Sequence, residues 1–206
     1  MGIEDRVRFE RAIALIDGAN AGDPNVIVLH GMSRPKELAH AQMLSAWVAK
    51  LRPEASESLL LAARAHHVRR WERRREDYPD GRGGYLRWRI DAERFHAEVT
   101  GELLERVGYE SMTVERVGQI IRKEGLGHDS EVQTLEDGLC LVFLETQLDV
   151  VAGKLERGKL VGILQRTWKK MSPEARALAV HKDSVWAEAT AGLMVDEASG
   201  AGAGAE

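Results

Sequence analysis

The chain has 206 residues, 44% of them hydrophobic and 30% charged, with a formal net charge of −4, which suits a globular domain with one buried core and excludes a disordered chain or a broadly basic nucleic-acid binder. A single cysteine, Cys140, excludes an intrachain disulfide, and no run of eighteen apolar residues is present to cross a membrane. With no basic-then-apolar leader visible, a cytoplasmic protein is expected.

In chain order, residues 4 to 19 set Val7, Ile13 and Ile16 among charges, the pattern of an amphipathic helix, and Gly22, Asp23 and Pro24 then form a turn. A short exposed loop is expected next. Ser33 and Pro35 announce a second helix, on which His40, Met43, Leu44, Trp47, Val48 and Leu51 recur at three- and four-residue spacing. Pro53 interrupts it. The spacing predicts a third helix over about 54–74, with Leu60, Ala63, His67 and Trp71 on one stripe and His66 at its edge. Pro79, Gly81, Gly83 and Gly84 make 77–84 a loop. A fourth helix over 85–107 aligns Trp88, Ala92, Phe95, His96, Val99 and Leu103 before Gly108 stops it, and a fifth over 113–123 ends at Gly125.

From 130 to about 155, SEVQTLEDGLCLVFLETQLDVVAGKL is apolar on nearly every face, as expected of a central helix surrounded by others. Shorter helices follow over about 159–171 and 173–189, the second announced by Ser172 and Pro173. The fold expected is all-α: a single-domain bundle of about seven to eight helices over 1–192, then a flexible glycine-rich tail over 193–206.

Chemistry concentrates in a few places. Glu136 and Asp137 lie a turn or so inside an apolar helix, and a carboxylate among leucines needs a metal, a cation or hydrogen bonds to compensate it. Alternatively the pair complements the dipole near the helix start. His40, His66, His67 and His96 come from three predicted helices, and neutral imidazoles projecting inward from a bundle are a usual way to hold a transition metal. Together with Asp137 they form a candidate ligand set; the other reading is that they pack as satisfied core histidines. His30, His128 and His181 read as surface.

Ten arginines lie between Arg64 and Arg94, interleaved with Trp71, Tyr78, Tyr85 and Trp88. Guanidinium forks suit phosphate and aromatic faces suit bases. Arg69, Arg70, Arg87 and Arg89 flank the histidines and are the candidate phosphate-binding residues, whereas the run Arg73 to Arg75, followed by Glu76 and Asp77, reads as a solvated face.

The order of these residues resembles that of the HD-domain metal-dependent phosphohydrolases, which present a histidine on one helix, a His-Asp pair on the next and a late aspartate on a buried helix. AHAQMLSAWVAKL and LLLAARAHHVRRW are similar to the first two elements through His40 and His66, with His67 standing where the aspartate belongs. FHAEVTGELLERVGY is similar to an accessory-histidine helix through His96, and TLEDGLCLVFLE to the last element through Asp137. Lys123, in IIRKEGL, falls where several members carry a further histidine. The motifs AARAHHVRRWE, GRGGYLRWR, FHAE, IIRKEGL, LEDGLCLVFLE and TWKKMSPE also resemble, over about 8–171, an all-α family of unknown function, some of whose members bear a glutamyl-tRNA synthetase-like label. Nothing here resembles a synthetase's nucleotide-binding domain.

These readings lead to an expected metal-dependent phosphohydrolase acting on a nucleotide or other small phosphorylated metabolite. A divalent transition metal would be held by His40, His66, His67, His96 and Asp137, and phosphate by Arg69, Arg70, Arg87 and Arg89. Glu136 and Lys123 would serve catalysis. The alternative is a non-enzymatic RNA or nucleotide binder using the Arg/Trp-rich segment 69–89.

Overall fold

The computed structural model of the chain describes residues 5–148, 151, 153 and 155–180. Its elements are α1 (Arg6–Ala21), β1 (Val26–Leu29), β2 (Met32–Pro35), α2 (Lys36–Leu51), α3 (Glu57–Ala65), α4 (Gly81–Arg106), α5 (Ser111–Ile121), α6 (Ser130–Thr146), α7 (Arg157–Lys170) and α8 (Pro173–Val180), with two 3-10 turns at Arg70–Glu72 and Arg75–Asp77. The all-α architecture holds, with one small hairpin added. Residues 193–206, expected as a flexible tail, and residues 181–189 of the expected last helix, with His181, lie outside the described residues. None of the described helices is long and apolar enough to cross a membrane.

Two compact units are present, 1–135 and 136–206, with the boundary inside α6. In the first, α3 packs against α1, α2 and α5, while α4 packs on α5 and α1. Leu59, Leu61, Ala62, Ala63 and Ala65 on α3 are all buried, as a short helix surrounded by others requires. Ser56 starts it by accepting the Leu59 N–H at 3.1 Å. Arg64 fixes α3 to α1 through a two-pronged pair with Asp17, 2.6 and 2.7 Å.

The segment expected as an exposed loop is the hairpin β1–β2, antiparallel with Leu29 opposite Met32. Its turn residues, His30 and Gly31, have φ of 50° and 78°, the two positive values that a type I′ turn needs. Ser33 lies in β2, so it does not cap α2. Asp23 serves α2 from fourteen residues away, its Oδ2 accepting the Glu37 N–H at 2.9 Å. α4 starts at Gly81, inside the expected loop. Gly84 is required there, because a Cβ on it would stand 1.8 Å from the Pro79 carbonyl oxygen.

In the second unit, α6 carries Glu136 and Asp137, both buried. Lys170 Nζ lies 3.3 Å from Glu136, and Asp137 Oδ1 accepts the Ser172 N–H at 2.8 Å where α8 begins. Ser172 in turn caps the Ala175 N–H, and Arg176 lies over the Trp168 ring. Lysine and a backbone N–H thus compensate the acidic pair. Asp137→Asn should cost about 1 kcal/mol of stability, the difference between a charge-assisted and a neutral hydrogen bond at a helix start. Urea unfolding checks this, and an unchanged midpoint would remove the capping role.

Candidate functional site

The site in the first unit begins on α2. Glu37 and His40 are one turn apart, so they share a face, and both are buried, at 5% and 7% exposure. Glu37 Oε2 lies 3.9 Å from His40 Nδ1 and 3.5 Å from His67 Nδ1.

His66 and His67 are not on a continuous helix, as the expected third helix over 54–74 would have had them. α3 ends at Ala65, the Val68 N–H bonds to the Ala65 carbonyl, and the chain passes into a 3-10 turn. Arg69 sits at φ 53°, in the left-handed region, and its N–H is held by Oδ1 of the fully buried Asn20 at 3.1 Å. The break has a geometric consequence. Consecutive side chains on an α-helix diverge by about 100°, whereas here the His66 and His67 rings lie 4.3 Å apart, centre to centre.

His96 enters from α4 and lies 5.6 Å from His67. Its Nδ1 is 2.8 Å from the Val68 carbonyl oxygen. A carbonyl only accepts, so Nδ1 carries the proton and Nε2 of the neutral ring keeps its lone pair. That Nε2 is buried without a hydrogen-bond partner, as are His40 Nε2, His66 Nδ1 and Glu37 Oε2. Four orphaned polar atoms in one neighbourhood are costly for a folded protein, which ordinarily pairs such groups.

All four rings are held toward the neutral form. Burial lowers His40, against the opposing pull of Glu37. It lowers His66 and His67 well below the usual histidine range, helped by neighbouring rings and by Arg70, and brings His96 down to about 4. Neutral imidazole is the ligating form. As the side chains now lie, no three His, Cys, Asp or Glu among the described residues already form a metal-holding group. The donors are of the right kind, and His40, His66, His96 and Glu37 each keep one atom without a hydrogen-bond partner; ligation requires their side chains to turn.

Of the four arginines, Arg70 acts on all four histidines, and Arg89 acts on Arg70. Arg70 lies over the Trp88 ring at 4.9 Å and feels Glu37, Tyr85, Arg89 and Glu93, with burial lowering its pKa first. Arg89 bonds to Glu93 at 3.1 Å. Arg69 is taken up by Glu72 through two bonds of 2.6 and 2.8 Å, and Arg87 is exposed. Lys123 lies close enough to act on His66 and His67. It follows α5, which ends at Ile121 rather than at Lys123, and has φ 57°. Such a backbone in a non-glycine residue is strained, and strain of this kind clusters at functional sites.

The run Arg73 to Arg75 is only partly the solvated face expected. Arg74 is exposed and paired with Asp77. Arg73, however, lies 4.0 Å over the Phe95 ring, and Arg75 binds the Tyr78 and Pro79 carbonyls, so these two organise the loop before α4. His30 and His128 are exposed, as expected.

Glu37, a carboxylate beside the histidines within the first unit, is not among the residues that the sequence singles out. A glutamate in the first turn of a helix reads as a dipole complement. The available signal was its i, i+3 spacing to His40. Glu136 and Asp137 belong to the second unit, engaged there with Lys170 and Ser172.

No curated protein and no solved structure matches the chain. A family profile described as a domain of unknown function, DUF4202, matches residues 10–190, which take in every element from the second turn of α1 to the end of α8. The chain therefore belongs to the DUF4202 family.

Proposed function

We propose that the chain is a metal-dependent phosphohydrolase of HD-like character acting on a nucleotide or another small phosphorylated metabolite. The observation that carries this reading is His96, whose Nδ1–H is fixed by the Val68 carbonyl while its Nε2 keeps its lone pair, buried and without a partner, near other histidines that also have an orphaned nitrogen. Metal-ligating histidines ordinarily donate their second nitrogen in this way. His40, His66 or His67, and His96 would hold a divalent transition metal. When bound, such a metal supplies Lewis acidity toward a phosphoryl oxygen and an acidified water at neutral pH.

The chain's own residues do the rest. Neutral imidazoles keep their lone pairs because burial disfavours protonation. Arg70, oriented by the Trp88 face, and Arg89 beside it would grip phosphate oxygens, and Lys123 would add a third positive charge near the rings. An RNA-binding face over 69–89 finds less support. Arg69, Arg73, Arg74 and Arg75 are engaged by Glu72, by backbone carbonyls and by Asp77, so few of the guanidiniums that would track a phosphate backbone stand free for it.

The direct test is phosphate release from a panel of nucleoside monophosphates and sugar phosphates with Mn2+ or Co2+, using His96→Ala as background. Release by the parent chain alone supports the reading; equal release by both, or none from any substrate, overturns it. A second measurement concerns the anion site. Inorganic phosphate should raise the melting temperature by binding the folded state, and Arg70→Ala or Arg89→Ala should remove that gain while Arg74→Ala keeps it. Equal loss at all three positions would mean diffuse screening in place of a pocket.

A further inference from the structure

Glu37 has three properties that the helix-dipole and capping roles of a first-turn glutamate do not explain together, although its charge also acts on Arg70. Its side chain is buried, and a carboxylate benefits from the helix dipole equally well when it remains in water. It is not needed to cap α2, since Asp23 Oδ2 already accepts the Glu37 N–H at 2.9 Å. Its Oε2 has no hydrogen-bond partner, and the ring nitrogens of His67 and His40 stand at 3.5 and 3.9 Å, too far or barely near enough to bond.

We infer that Glu37 is a metal ligand of the histidine cluster, contributing a negative charge beside the imidazoles of the first unit. The inference rests on the proposal that a metal occupies that cluster, and it goes further by naming the anionic donor. Neutral imidazoles alone would bring a divalent cation into a buried place with no charge to offset it, which is unfavourable. Glu37 and His40, at i and i+3, project from one helix face, a spacing that helical bundles use to direct a carboxylate and an imidazole at one ion. His67 and His96 complete the neighbourhood from the turn after α3 and from α4. A carboxylate ligand also fits the orphaned state of Oε2, because the atom that would meet the ion must be free of other bonds.

The test is calorimetric titration of the metal-free full chain with Co2+, together with melting curves with and without the metal. The parent chain should take up one equivalent. Glu37→Gln, nearly isosteric, should weaken the affinity on the order of 100-fold, and Glu37→Asp should fall between the two. A structural ion pair predicts something different. Were Glu37 merely a partner of the histidines, Glu37→Gln would lower the metal-free melting temperature and leave Co2+ affinity unchanged. As a ligand held in place without a partner, it should on replacement leave the metal-free melting temperature unchanged or raised, and abolish most of the rise that Co2+ produces. Equal Co2+ affinity of the parent and Glu37→Gln chains overturns the assignment of Glu37 while leaving the metal reading in place. No Co2+ uptake by the parent chain overturns both.

Discussion

Acidification from pH 7 to pH 4 should destabilise the metal-free protein steeply, and the histidine cluster should account for most of the loss. In the unfolded chain a histidine titrates near 6.5, whereas His96 in the fold is brought down to about 4 and His66 and His67 are also lowered well below the usual range. Between these values the unfolded state binds protons that the folded state refuses, so stability rises with pH across the window. The contribution is fully present above the unfolded pKa and disappears as pH falls to the folded one. For His96 alone the difference amounts to about 3 kcal/mol. His40, His66 and His67 add in the same direction, so the total is a large part of the stability of a domain this size.

The measurement is urea unfolding at half-unit steps from pH 7.5 to 4. A His96→Gln chain should show a shallower slope below pH 6.5, since it lacks one of the groups that must charge. A parent slope no steeper than that of the variant would mean that His96 is already protonated in the fold. Co2+ should move the whole loss to lower pH, because ligation holds an imidazole in its neutral form.

Much of this arrangement was readable from the sequence, for identifiable reasons. His40 and His96 lie within regular helices, so their periodicity with Leu44, Trp47 and Val48, and with Ala92 and Val99, placed them on buried stripes. His66 and His67 were recognised as residues but not in their conformation. A helix period extended through them to Trp71 is satisfied by composition, and only the tertiary bond from Asn20 to the Arg69 N–H reveals the break. The hairpin was missed because Val26, Val28 and Met32 are exposed and His30-Gly31 is not among the commonest turn pairs. Glu37 was missed because burial of a first-turn acid depends on what stands opposite, here a turn thirty residues further on. The same limit applies to Arg73 and Arg75, whose partners are backbone carbonyls and a ring that charge patterning cannot indicate.

Asn20→Ala should be among the most damaging single changes outside the histidines, lowering stability by about 3 kcal/mol and loosening the site as well. Asn20 is wholly buried at the end of α1, and its Oδ1 bond to the Arg69 N–H fixes the left-handed residue that ends the His66–His67 turn. Removing the amide leaves that N–H without its acceptor, a loss of about 1–3 kcal/mol, and opens a small cavity that adds to it. The functional consequence follows from geometry. With Arg69 unanchored, the turn is free to continue α3, which would drive His66 and His67 apart and draw the Val68 carbonyl away from His96 Nδ1. His96 would then lose the bond that sets its tautomer. Urea unfolding gives the first quantity, and the melting shift produced by Co2+ gives the second, which should fall in Asn20→Ala even under conditions where the variant remains folded. Asn20→Leu separates the two causes, since leucine fills the space but accepts no hydrogen bond. If it restores both stability and the Co2+ response, packing alone holds the turn and the Asn20 to Arg69 bond is dispensable. Partial recovery of stability with no recovery of the metal response is the expected result, because the bond, rather than the volume, sets the direction in which the two histidines point.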